Sequence, residues 1–363
     1  DPSLLERAVI VGGSEKRSRR GVVTSASYEA RAKGVYAGMS LQQAKKICPE
    51  AVFLPIDFTW YQECSDKLQK ILRQFGDKVE MASIDEAYLD LTGLDKMWGE
   101  NYIALLVQIE QAINSMLKIP VSIGLADNKV TAKIAASVRK PGITIVPSSI
   151  TREFLGRFAV GEFPGLGIRA ISELKAANVS TIADLQWWTF QEIKDFFGSF
   201  GEYLYMAING YDDTEVHVES EKPSSISREH TFPYDHDAAS SQVMTTLRLL
   251  TAHVLWRMRR QSLHAKEVRI KIRLADFSTY SKTHVLSGFV DSDQDIMPVV
   301  RHLFWQLRKQ YRGKKIRLIG VGVSRLEEIE TPSLFLSERT KRVQTVLDEL
   351  AGRYQKPTVL FGV

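Results

Sequence analysis

The stretch Ser83-Ile84-Asp85-Glu86-Ala87-Tyr88-Leu89-Asp90 constrains the fold of this chain more strongly than any other part of the sequence. A short apolar approach with Val79 and Met81 precedes it, and its own side chains then alternate in the manner of a β-strand. Because successive strand residues face opposite sides of a sheet, the run predicts two strands joined by a bend that presents Asp85 and Glu86 at a sheet edge. Paired carboxylates at such a bend are typical of metal sites, and a solvated acidic hairpin is the alternative for an isolated pair.

Helices and strands alternate around this hairpin. Apolar side chains repeat at helical spacing over residues 58–75, and a second helix is predicted from Ile103 to Leu117. Pro120–Ala126 and Ile143–Val146 are predicted strands, and Asn128–Val138 between them is a predicted helix. The order predicts an α+β unit in which helices pack on one face of a mixed or antiparallel sheet.

Two further units are predicted after residue 147. Residues 148–215 contain several helical segments separated by glycine and no strand-like alternation, which predicts an all-α domain. The polar segment 217–224 contains Pro223 and is the predicted linker. Residues 225–325 then predict the order β-α-β-β-α-β, which is typical of ferredoxin-like domains.

The composition excludes several classes of protein. The chain has 363 residues, 44% of them hydrophobic, which is enough for several cores. No apolar run approaches the roughly 20 residues of a membrane span, and no signal region follows a basic start. The only two cysteines, Cys48 and Cys64, exclude a disulfide framework and favour the cytoplasm. The histidines show no ligand spacing, and the chain contains no Walker-type loop or Gly-x-Ser-x-Gly elbow.

The distribution of basic residues indicates an anionic partner. The net charge is +5, and basic side chains concentrate at Lys16 to Arg20 and within residues 256–325. Apolar and basic residues alternate strictly from Val268 to Arg273, so one sheet face is predicted to be core and the other cationic. The last strand carries Arg317 and Arg325 near its ends, and two strands that are basic on their open side favour a phosphate backbone. An ordinary half-exposed strand is the alternative.

Two glycines predict a helix-hairpin-helix module. The sequence Phe163-Pro164-Gly165-Leu166-Gly167 precedes an amphipathic helix with Ile171 and Leu174. Glycines of such a hairpin free backbone N–H groups to bind a phosphate at the following helix N-terminus without reading a base. A plain helix connection with glycine at a helix end is the alternative.

The stretch Thr24-Ser25-Ala26-Ser27-Tyr28-Glu29-Ala30-Arg31 is predicted to be a strand that runs into a helix. Tyr28 and Arg31 are three residues apart and therefore share one helical face. Together they could bind a triphosphate, since a guanidinium makes bidentate hydrogen bonds with phosphate oxygens. An ordinary surface pair is the alternative. Likewise, Arg139-Lys140-Pro141-Gly142 could be only a basic helix end before a turn.

Taken together, these stretches resemble the Y-family DNA polymerases, the translesion class, and are most similar to its DinB or DNA polymerase IV branch. The likeness covers nearly the whole chain, and four motifs occur in the family order with matching separations. The matching stretches are 22–39, 83–90, 121–142 and the hairpin at Pro164.

The resemblance implies a multidomain α+β protein with the right-hand architecture of a polymerase. Its palm would be ferredoxin-like with the first strand missing, its fingers small, its thumb all-α with the helix-hairpin-helix, and its little finger a β-α-β-β-α-β domain. The implied domains are fingers at 1–57, palm at 58–147, thumb at 148–216, linker at 217–224, little finger at 225–325 and a C-terminal tail at 326–363.

The resemblance also implies the chemistry. A template-directed, low-fidelity polymerase would add dNTP to a primer 3′ end by phosphoryl transfer with two Mg²⁺ ions, for which Mn²⁺ substitutes. Asp85 and Glu86 would be catalytic and metal-binding, with Asp85 bridging both ions and Glu86 favouring the one that activates the primer hydroxyl. The implied partners are primer-template DNA and dNTP, and the protein would be a monomer without membrane attachment.

Other site residues follow from the same resemblance. In the family a lysine often follows the arginine at Arg31, whereas this sequence has Ala32 and then Lys33. The implied nucleotide-binding residues are Ser25, Tyr28, Arg31 and Lys140. The implied DNA-binding residues are Gly165, Gly167, Arg269, Lys271, Arg273, Arg317 and Arg325.

One segment of the family pattern is expected before the stretch Asp1-Pro2-Ser3-Leu4 and is not in the sequence. In the family it is a palm strand with another metal-binding aspartate and an aromatic residue that excludes ribonucleotides. A chain without it would have an incomplete two-ion site. The alternative function is therefore a catalytically silent, polymerase-like scaffold subunit that binds DNA.

The C-terminal tail resembles a clamp-binding peptide. Thr331-Pro332-Ser333-Leu334-Phe335 is polar and then apolar, like the short peptide that docks bacterial polymerases of this branch on the sliding clamp. Thr331 stands where the usual glutamine would be. The implied clamp-binding residues are Ser333, Leu334 and Phe335, and a hydrophobic anchor that packs on the protein itself is the alternative. Val359–Val363 is a weaker candidate for the same role.

Overall fold

The computed structural model describes residues 2–12, 20–93, 102–218, 222–329 and 338–354. The chain divides into two compact units. The first unit comprises Asp1–Ile56 together with Lys222–Val363, and the second unit comprises Asp57–Glu221.

The N-terminal part of the first unit is a small three-stranded sheet with two short helices. The central strand is antiparallel to one neighbour and parallel to the other. Serine side chains cap both helices, since Ser27 Oγ accepts from the backbone N–H of Ala30 and Ser40 Oγ from that of Gln43. In chain order the elements are β1 (Val9–Gly12), β2 (Val23–Ala26), α1 (Tyr28–Ala32), α2 (Leu41–Ile47) and β3 (Val52–Pro55).

The first half of the second unit contains the acid-pair hairpin. The elements are α3 (Phe58–Leu72), β4 (Val79–Met81), β5 (Ala87–Leu89), α4 (Tyr102–Leu117), β6 (Ser122–Leu125), α5 (Lys129–Val138) and β7 (Gly142–Ile145). β4 and β5 pair antiparallel, and β6 and β7 pair parallel through the crossover helix α5. A single sheet was predicted, but within the described residues these are two separate two-stranded sheets. A tight turn connects β4 to β5, and the helix α5 connects β6 to β7. Each two-stranded sheet can therefore form without the other.

A hydrophobic core fixes the hairpin against two helices. Val79 is fully buried, and it packs with Ile71 of α3 and with Leu105 and Ile109 of α4. Since alternate strand residues face opposite sides, burial of Val79 determines which way the hairpin faces. The turn of the hairpin is thereby held at the edge of a packed layer.

The second half of the second unit is all-α over the described residues 148–218, as predicted. Its elements are α6 (Thr151–Gly156), α7 (Ile168–Ala176), α8 (Ile182–Gln186), α9 (Phe190–Phe197) and α10 (Ser199–Ile208), with short 3₁₀ turns at Ser148–Ile150 and Val160–Glu162. The core contains fully buried Leu155, Leu174, Leu185 and Leu204. Val130 and Ile134 of α5 also belong to this core, so α5 packs against the helices of this second half as well.

The C-terminal part of the first unit has the predicted β-α-β-β-α-β order. The elements are β8 (Ser225–Asp237), α11 (Ser241–Arg259), β9 (Leu263–Leu274), β10 (Thr279–Val290), α12 (Asp293–Gln310) and β11 (Lys315–Glu328). The sheet order, which the element order alone does not determine, is β10-β9-β11-β8, and every neighbouring pair is antiparallel. The two helices and one sheet face enclose the largest core, and the other face is termed the open face below.

A helix that the sequence reasoning missed follows this domain. α13 (Glu338–Tyr354) lies within the segment 326–363 that was predicted only as a tail. Ala351 on this helix is 2% exposed, and Asp348 forms an ion pair with Arg259 of α11. Apolar residues at Val343, Leu347, Leu350 and Tyr354 have helical spacing, which is the signal that could have identified it.

No helix within the described ranges of the chain is both long enough and apolar enough to cross a membrane.

Candidate active site

The acid pair lies in the turn between β4 and β5, as predicted. Val79 pairs with Leu89 and Met81 with Ala87, so the turn spans residues 82–86. The Ser83 hydroxyl accepts from the backbone N–H groups of Asp85 at 3.2 Å and Glu86 at 3.0 Å, and it lies 2.6 Å from Asp85 Oδ1. The Ser83 N–H also donates to the Glu86 carbonyl at 3.1 Å. A single serine therefore holds both carboxylates in a defined turn, while their side chains stay exposed.

Two lysines of α5 face two glutamates of the hairpin. Lys133 Nζ lies 2.7 Å from Glu86 Oε2, and Lys129 Nζ lies 2.9 and 2.7 Å from the two carboxylate oxygens of Glu80. The lysines share a helix face because they are four residues apart. Asn128 fixes the start of the helix by accepting from the Thr131 N–H at 2.8 Å. The sequence reasoning missed both lysines, and their spacing beside a capping asparagine was the available signal.

The chain that leaves α10 is bound to the same helix. Asn128 Nδ2 donates to the Gly210 carbonyl at 3.0 Å, and the Val130 N–H donates to Asp212 Oδ2 at 3.3 Å. Lys129 Nζ donates to the Glu215 carbonyl at 3.2 Å. The His217 N–H donates to Glu80 Oε2 at 2.8 Å. The bonds of Asn128, Lys129 and Val130 fix α5 from its N-terminal end, in addition to the apolar packing of its buried face, and the His217 bond ties the same segment to β4.

Burial, carboxylates and Lys129 together shift the pKa values of Tyr88 and Glu80 beside the acid pair. Burial first, and then Glu86, Glu80 and Asp212, raise the pKa of Tyr88 to about 12. Lys129 Nζ lies 4.9 Å from the centre of the Tyr88 ring. Burial acts to raise the pKa of Glu80, but the hydrogen bonds from Lys129 and the His217 N–H outweigh it, so the pKa lies below its usual value.

The acid pair fits a divalent cation that is held partly by substrate. Asp85 and Glu86 offer hard carboxylate oxygens, and Mg²⁺ is usually bound by one or two carboxylates together with water and substrate phosphates. Within the ranges that the structure describes, no group of three or more His, Cys, Asp or Glu side chains could hold a metal ion alone. The donor set therefore fits an ion whose coordination is completed by phosphate.

The predicted triphosphate residues of the first unit lie at the start of α1. Tyr28 is 72% exposed, and the Arg31 guanidinium carbon lies 5.9 Å from the centre of its ring, as their spacing predicted. Arg31 Nε donates to the Ala26 carbonyl at 2.9 Å, which leaves its terminal nitrogens for a ligand. Ser25 is exposed on β2. Lys33, which follows Ala32, contacts Glu50.

Lys140 belongs to the second unit, together with the acid pair. It is exposed and lies directly after α5, between Arg139, which ends the helix, and Gly142, which begins β7. Tyr28 and Arg31 belong to the first unit.

In the predicted helix-hairpin-helix, the helix that follows the hairpin is α7, and its N-terminus is open. Gly165 has φ +93, and a Cβ there would lie 3.1 Å from Phe200 Cζ, so glycine is required. Gly167 is the N-cap and provides no side-chain hydrogen bond to the first N–H groups of the helix. Ile168, the next residue, is 89% exposed. The first backbone N–H groups of α7 are thus accessible to an anion.

The cationic stripe predicted on β9 is present. Val268, Ile270 and Ile272 are buried, and the stripe residues Arg269, Lys271 and Arg273 alternate with them on the open face. Lys271 Nζ lies 2.7 Å from Glu229 Oε1 of β8. Arg269 Nε and Arg273 Nε lie 3.4 and 2.9 Å from Thr283 Oγ1 and Thr279 Oγ1 of β10.

The matching prediction for β11 is wrong. Leu318, Gly320 and Gly322 pair with Arg273, Lys271 and Arg269, so they occupy the open face, and none of them is basic. The register shifts between Ile316 and Leu318, which displaces Arg317 from the regular alternation, and its guanidinium carbon lies 4.3 Å from the centre of the Phe277 ring.

Arg325 has φ +54 near the end of β11. It shares Glu267 with Arg269, at 3.3 and 3.9 Å respectively. Glu267 is largely buried, so it partly neutralises two of the predicted DNA contacts.

Several predictions fall outside the described residues. They concern the basic residues 16–19, the clamp-binding residues Ser333, Leu334 and Phe335, and the segment 359–363.

Both halves of the chain match models of one protein family. Residues 1–137 match the impB/mucB/samB family, and residues 223–336 match the impB/mucB/samB family C-terminal domain. The chain is 35% identical over 369 residues to the DNA polymerase IV of Desulfatibacillum aliphaticivorans, with 99% of this chain and 91% of that protein covered. It is 33% identical over 332 residues to the DNA polymerase IV 1 of Bacillus subtilis (strain 168), with coverages of 91% and 78%.

Solved structures show the same similarity. A Y-family DNA polymerase chimera, Dbh-Dpo4(243-245)-Dbh, superposes with a TM-score of 0.80 at 26% identity, covering 90% of this chain and 93% of that one. The insertion ternary complex of Dbh DNA polymerase superposes with a TM-score of 0.60 at 26% identity, with coverages of 89% and 93%.

Proposed function

This chain belongs to the impB/mucB/samB family as a DinB-like Y-family DNA polymerase, and we propose that Asp85 and Glu86 carry its catalytic metal site. The protein is a translesion DNA polymerase, a DNA-directed nucleotidyltransferase. The catalytically silent alternative is not favoured, because proteins named DNA polymerase IV match almost the entire chain.

The turn that Ser83 organises is the observation that carries the proposal. Two adjacent carboxylates are exposed at the edge of a packed layer, and three hydrogen bonds with one hydroxyl hold them there. Two Mg²⁺ ions, for which Mn²⁺ substitutes, would supply Lewis-acid chemistry at the primer hydroxyl and the leaving pyrophosphate. The role of the protein is to hold and orient the ions. Asp85 and Glu86 would provide the carboxylate oxygens, and the turn keeps both side chains on the same edge.

Tyr28 and Arg31 of the first unit would bind the incoming triphosphate, with Ser25 on the strand before them, and Lys140 of the second unit is proposed separately as a triphosphate contact. Arg31 supports this role because one nitrogen is bound to the Ala26 carbonyl, which orients the guanidinium, while its other donors stay available. An oriented guanidinium suits phosphate oxygens bidentately, whereas Lys140 would act as a point charge. Tyr28 would position the nucleotide through its exposed ring and hydroxyl.

DNA would be bound mainly through its phosphates. The open N-terminus of α7 at Gly165 and Gly167 would take one strand, and the open face with Arg269, Lys271 and Arg273 would take the duplex, with Arg317 and Arg325 as separate candidate contacts near the ends of β11. Phosphate contacts fix the position of a duplex without reading its sequence. The affinity for DNA should then depend little on sequence and fall steeply with salt.

The domain assignment remains part of the proposal. We assign fingers to 1–57, palm to 58–147, thumb to 148–216, linker to 217–224, and little finger to 225–325. Among the described residues, four separate hydrophobic cores support the division, since one lies in each of the four folded segments, with α5 also contributing to the thumb core.

Partners beyond DNA and dNTP are also proposals. Sequence resemblance supports docking of Ser333, Leu334 and Phe335 on a sliding clamp. A monomer that works on the nucleoid in the cytoplasm fits a chain with two unpaired cysteines and with bacterial relatives.

Primer extension by the full-length protein tests the metal site. D85N and E86Q each remove one carboxylate, and we expect each to slow extension at least about 100-fold, because removing a ligand costs several kcal/mol of transition-state stabilisation. D77N removes an exposed carboxylate just before β4 and should extend like the wild type. Wild-type extension by D85N would overturn the assignment.

A further inference from the structure

Lys133 holds the Glu86 carboxylate with a positive charge that comes from the protein itself. The distance between Nζ and Oε2 is 2.7 Å, and the two side chains are 39% and 54% exposed. The other carboxylate of the turn is held differently, since Asp85 Oδ1 bonds to the Ser83 hydroxyl. Among the residues that the structure describes, Glu86 is therefore paired with an ammonium group and Asp85 is not.

The position of Lys133 follows from how α5 is fixed. Lys129, one turn earlier, binds Glu80 through both carboxylate oxygens and is 15% exposed. Val130 and Ile134, which directly follow the two lysines, are buried on the adjacent face of the helix. Because the helix is held by polar bonds at its start and by apolar packing along its length, Lys133 is presented to Glu86 rather than meeting it by chance.

Lys129 and Lys133 consequently have different tasks. Lys129 has a complete set of partners, namely both Glu80 oxygens, the Glu215 carbonyl and the Tyr88 ring. Lys133 has a single carboxylate partner among the described residues and a more exposed side chain. Only Lys133 can exchange that partner without disturbing the packing of the helix.

An ammonium group and a divalent cation at the same carboxylate repel each other, so the ammonium group weakens metal binding there. We propose that Lys133 is a positioning residue that keeps Glu86 in place in the DNA-free enzyme and makes occupation of Glu86 by metal depend on bound substrate. Phosphates of DNA and nucleotide supply the negative charge that offsets the ammonium group when the metal arrives. The inference rests on the proposed role of Glu86 as a metal ligand.

Linkage gives the inference a measurable form. If substrate strengthens metal binding by some factor, metal strengthens substrate binding by the same factor. Lys133 increases this factor, because it weakens metal binding to the free protein more than to the complex. Removal of its charge should thus tighten metal binding to the free protein and reduce the coupling with DNA.

Titration of the DNA-free, full-length protein with Mn²⁺, followed by electron paramagnetic resonance, tests this directly. We expect K133M and K133Q to bind Mn²⁺ about two- to tenfold more tightly than the wild type, the size expected when an exposed ion pair beside a metal ligand is removed. K133R keeps the charge and should behave like the wild type. K78M is the matched control, since Lys78 pairs with Asp90 at 3.2 Å at the other end of the same hairpin.

The variant E86Q distinguishes a failure of the role inferred for Lys133 from a failure of the proposed metal site. If E86Q leaves Mn²⁺ binding unchanged in both the wild type and K133M, Glu86 is not a metal ligand and the proposed site itself is wrong. If E86Q weakens binding while K133M and K133Q bind Mn²⁺ no more tightly than the wild type, the metal site stands and the role of Lys133 is wrong. Tighter binding by K133M that is lost in K133M/E86Q supports both.

Discussion

Arg259 of α11 binds Asp348 of α13 through two parallel hydrogen bonds, with Nε to Oδ2 at 2.7 Å and Nη2 to Oδ1 at 2.8 Å. Arg259 Nη1 also donates to the Asp291 carbonyl at 2.7 Å and lies 3.3 Å from Asp293 Oδ2. The arginine side chain is only 12% exposed. One buried guanidinium thus joins the C-terminal helix to the little finger and pairs with Asp293, the first residue of α12.

Removal of this guanidinium should destabilise the little finger. We expect R259M to lower the free energy of unfolding by about 3 kcal/mol, because the change leaves Asp293 buried without its cationic partner. Burial already raises the pKa of Asp293 in spite of Arg259. Chemical denaturation of the full-length protein measures the effect. R260M, which changes a neighbouring exposed arginine, should unfold like the wild type, and equal stability of R259M and R260M would contradict the assignment.

His253 should make the stability of the little finger depend on pH. Burial first, and then the charges of Arg228 and Arg257, lower its pKa to about 4, whereas the pKa of an unfolded histidine is about 6.5. The folded protein therefore binds fewer protons than the unfolded chain between these values. Its contribution to stability is complete above about pH 6.5 and is lost as the pH falls toward 4.

The variant H253Q isolates this contribution. Its unfolding midpoint should change less between pH 7.5 and pH 5 than that of the wild type, because one group with a lowered pKa has been removed. H284Q changes an exposed histidine of β10 and should keep the wild-type pH dependence. A wild-type pH dependence in H253Q would show that the imidazole is not shielded from protonation.

Glu229 should weaken DNA binding, because it neutralises Lys271 from the neighbouring strand. We expect E229Q to bind primer-template about two- to fivefold more tightly at low salt, the usual size of an exposed ion pair. K271Q should weaken binding and reduce the salt slope by about one. Fluorescence anisotropy across a salt series measures both, with E63Q on α3 as a control. Tighter binding by K271Q would refute a phosphate contact.

Ser83 should matter for catalysis without mattering for DNA binding. S83A removes the hydroxyl that binds both N–H groups of the acid turn, and we expect about a 10- to 100-fold slower primer extension, as for other groups that orient metal ligands. DNA affinity should stay at the wild-type value. S115A, which removes an exposed hydroxyl from α4, serves as the control. Wild-type extension by S83A would mean that the turn is fixed by other contacts.

Local patterns predicted the parts of the fold that depend on local physics. The alternation at 87–89 and the acid pair before it identified the hairpin, and the spacing of Tyr28 and Arg31 placed them together on α1. Both features lie within a few residues of sequence. The same applies to β9 from Val268 to Arg273, where each buried residue alternates with a basic one.

Contacts between distant residues could not be obtained in this way. Lys133 and Glu86 are 47 residues apart, and Arg259 and Asp348 are 89 apart. Each pair depends on how a helix packs against another element, which alternation does not encode. The failure on β11 has a similar cause, because one register shift after Ile316 moves Arg317 out of the series and places Leu318, Gly320 and Gly322 on the open face.

The two glycines of the thumb hairpin differ in what a substitution there can reveal. Gly165 is fixed by its own backbone, with φ +93 and Phe200 close by, so a side chain at this position disturbs the fold whether or not DNA is present. Gly167 has nothing within 4 Å of the position of a Cβ, so a side chain there changes only the access to the N-terminus of α7. Weaker DNA binding in a Gly165 variant therefore says little about phosphate, whereas the same loss in a Gly167 variant reports on the contact itself.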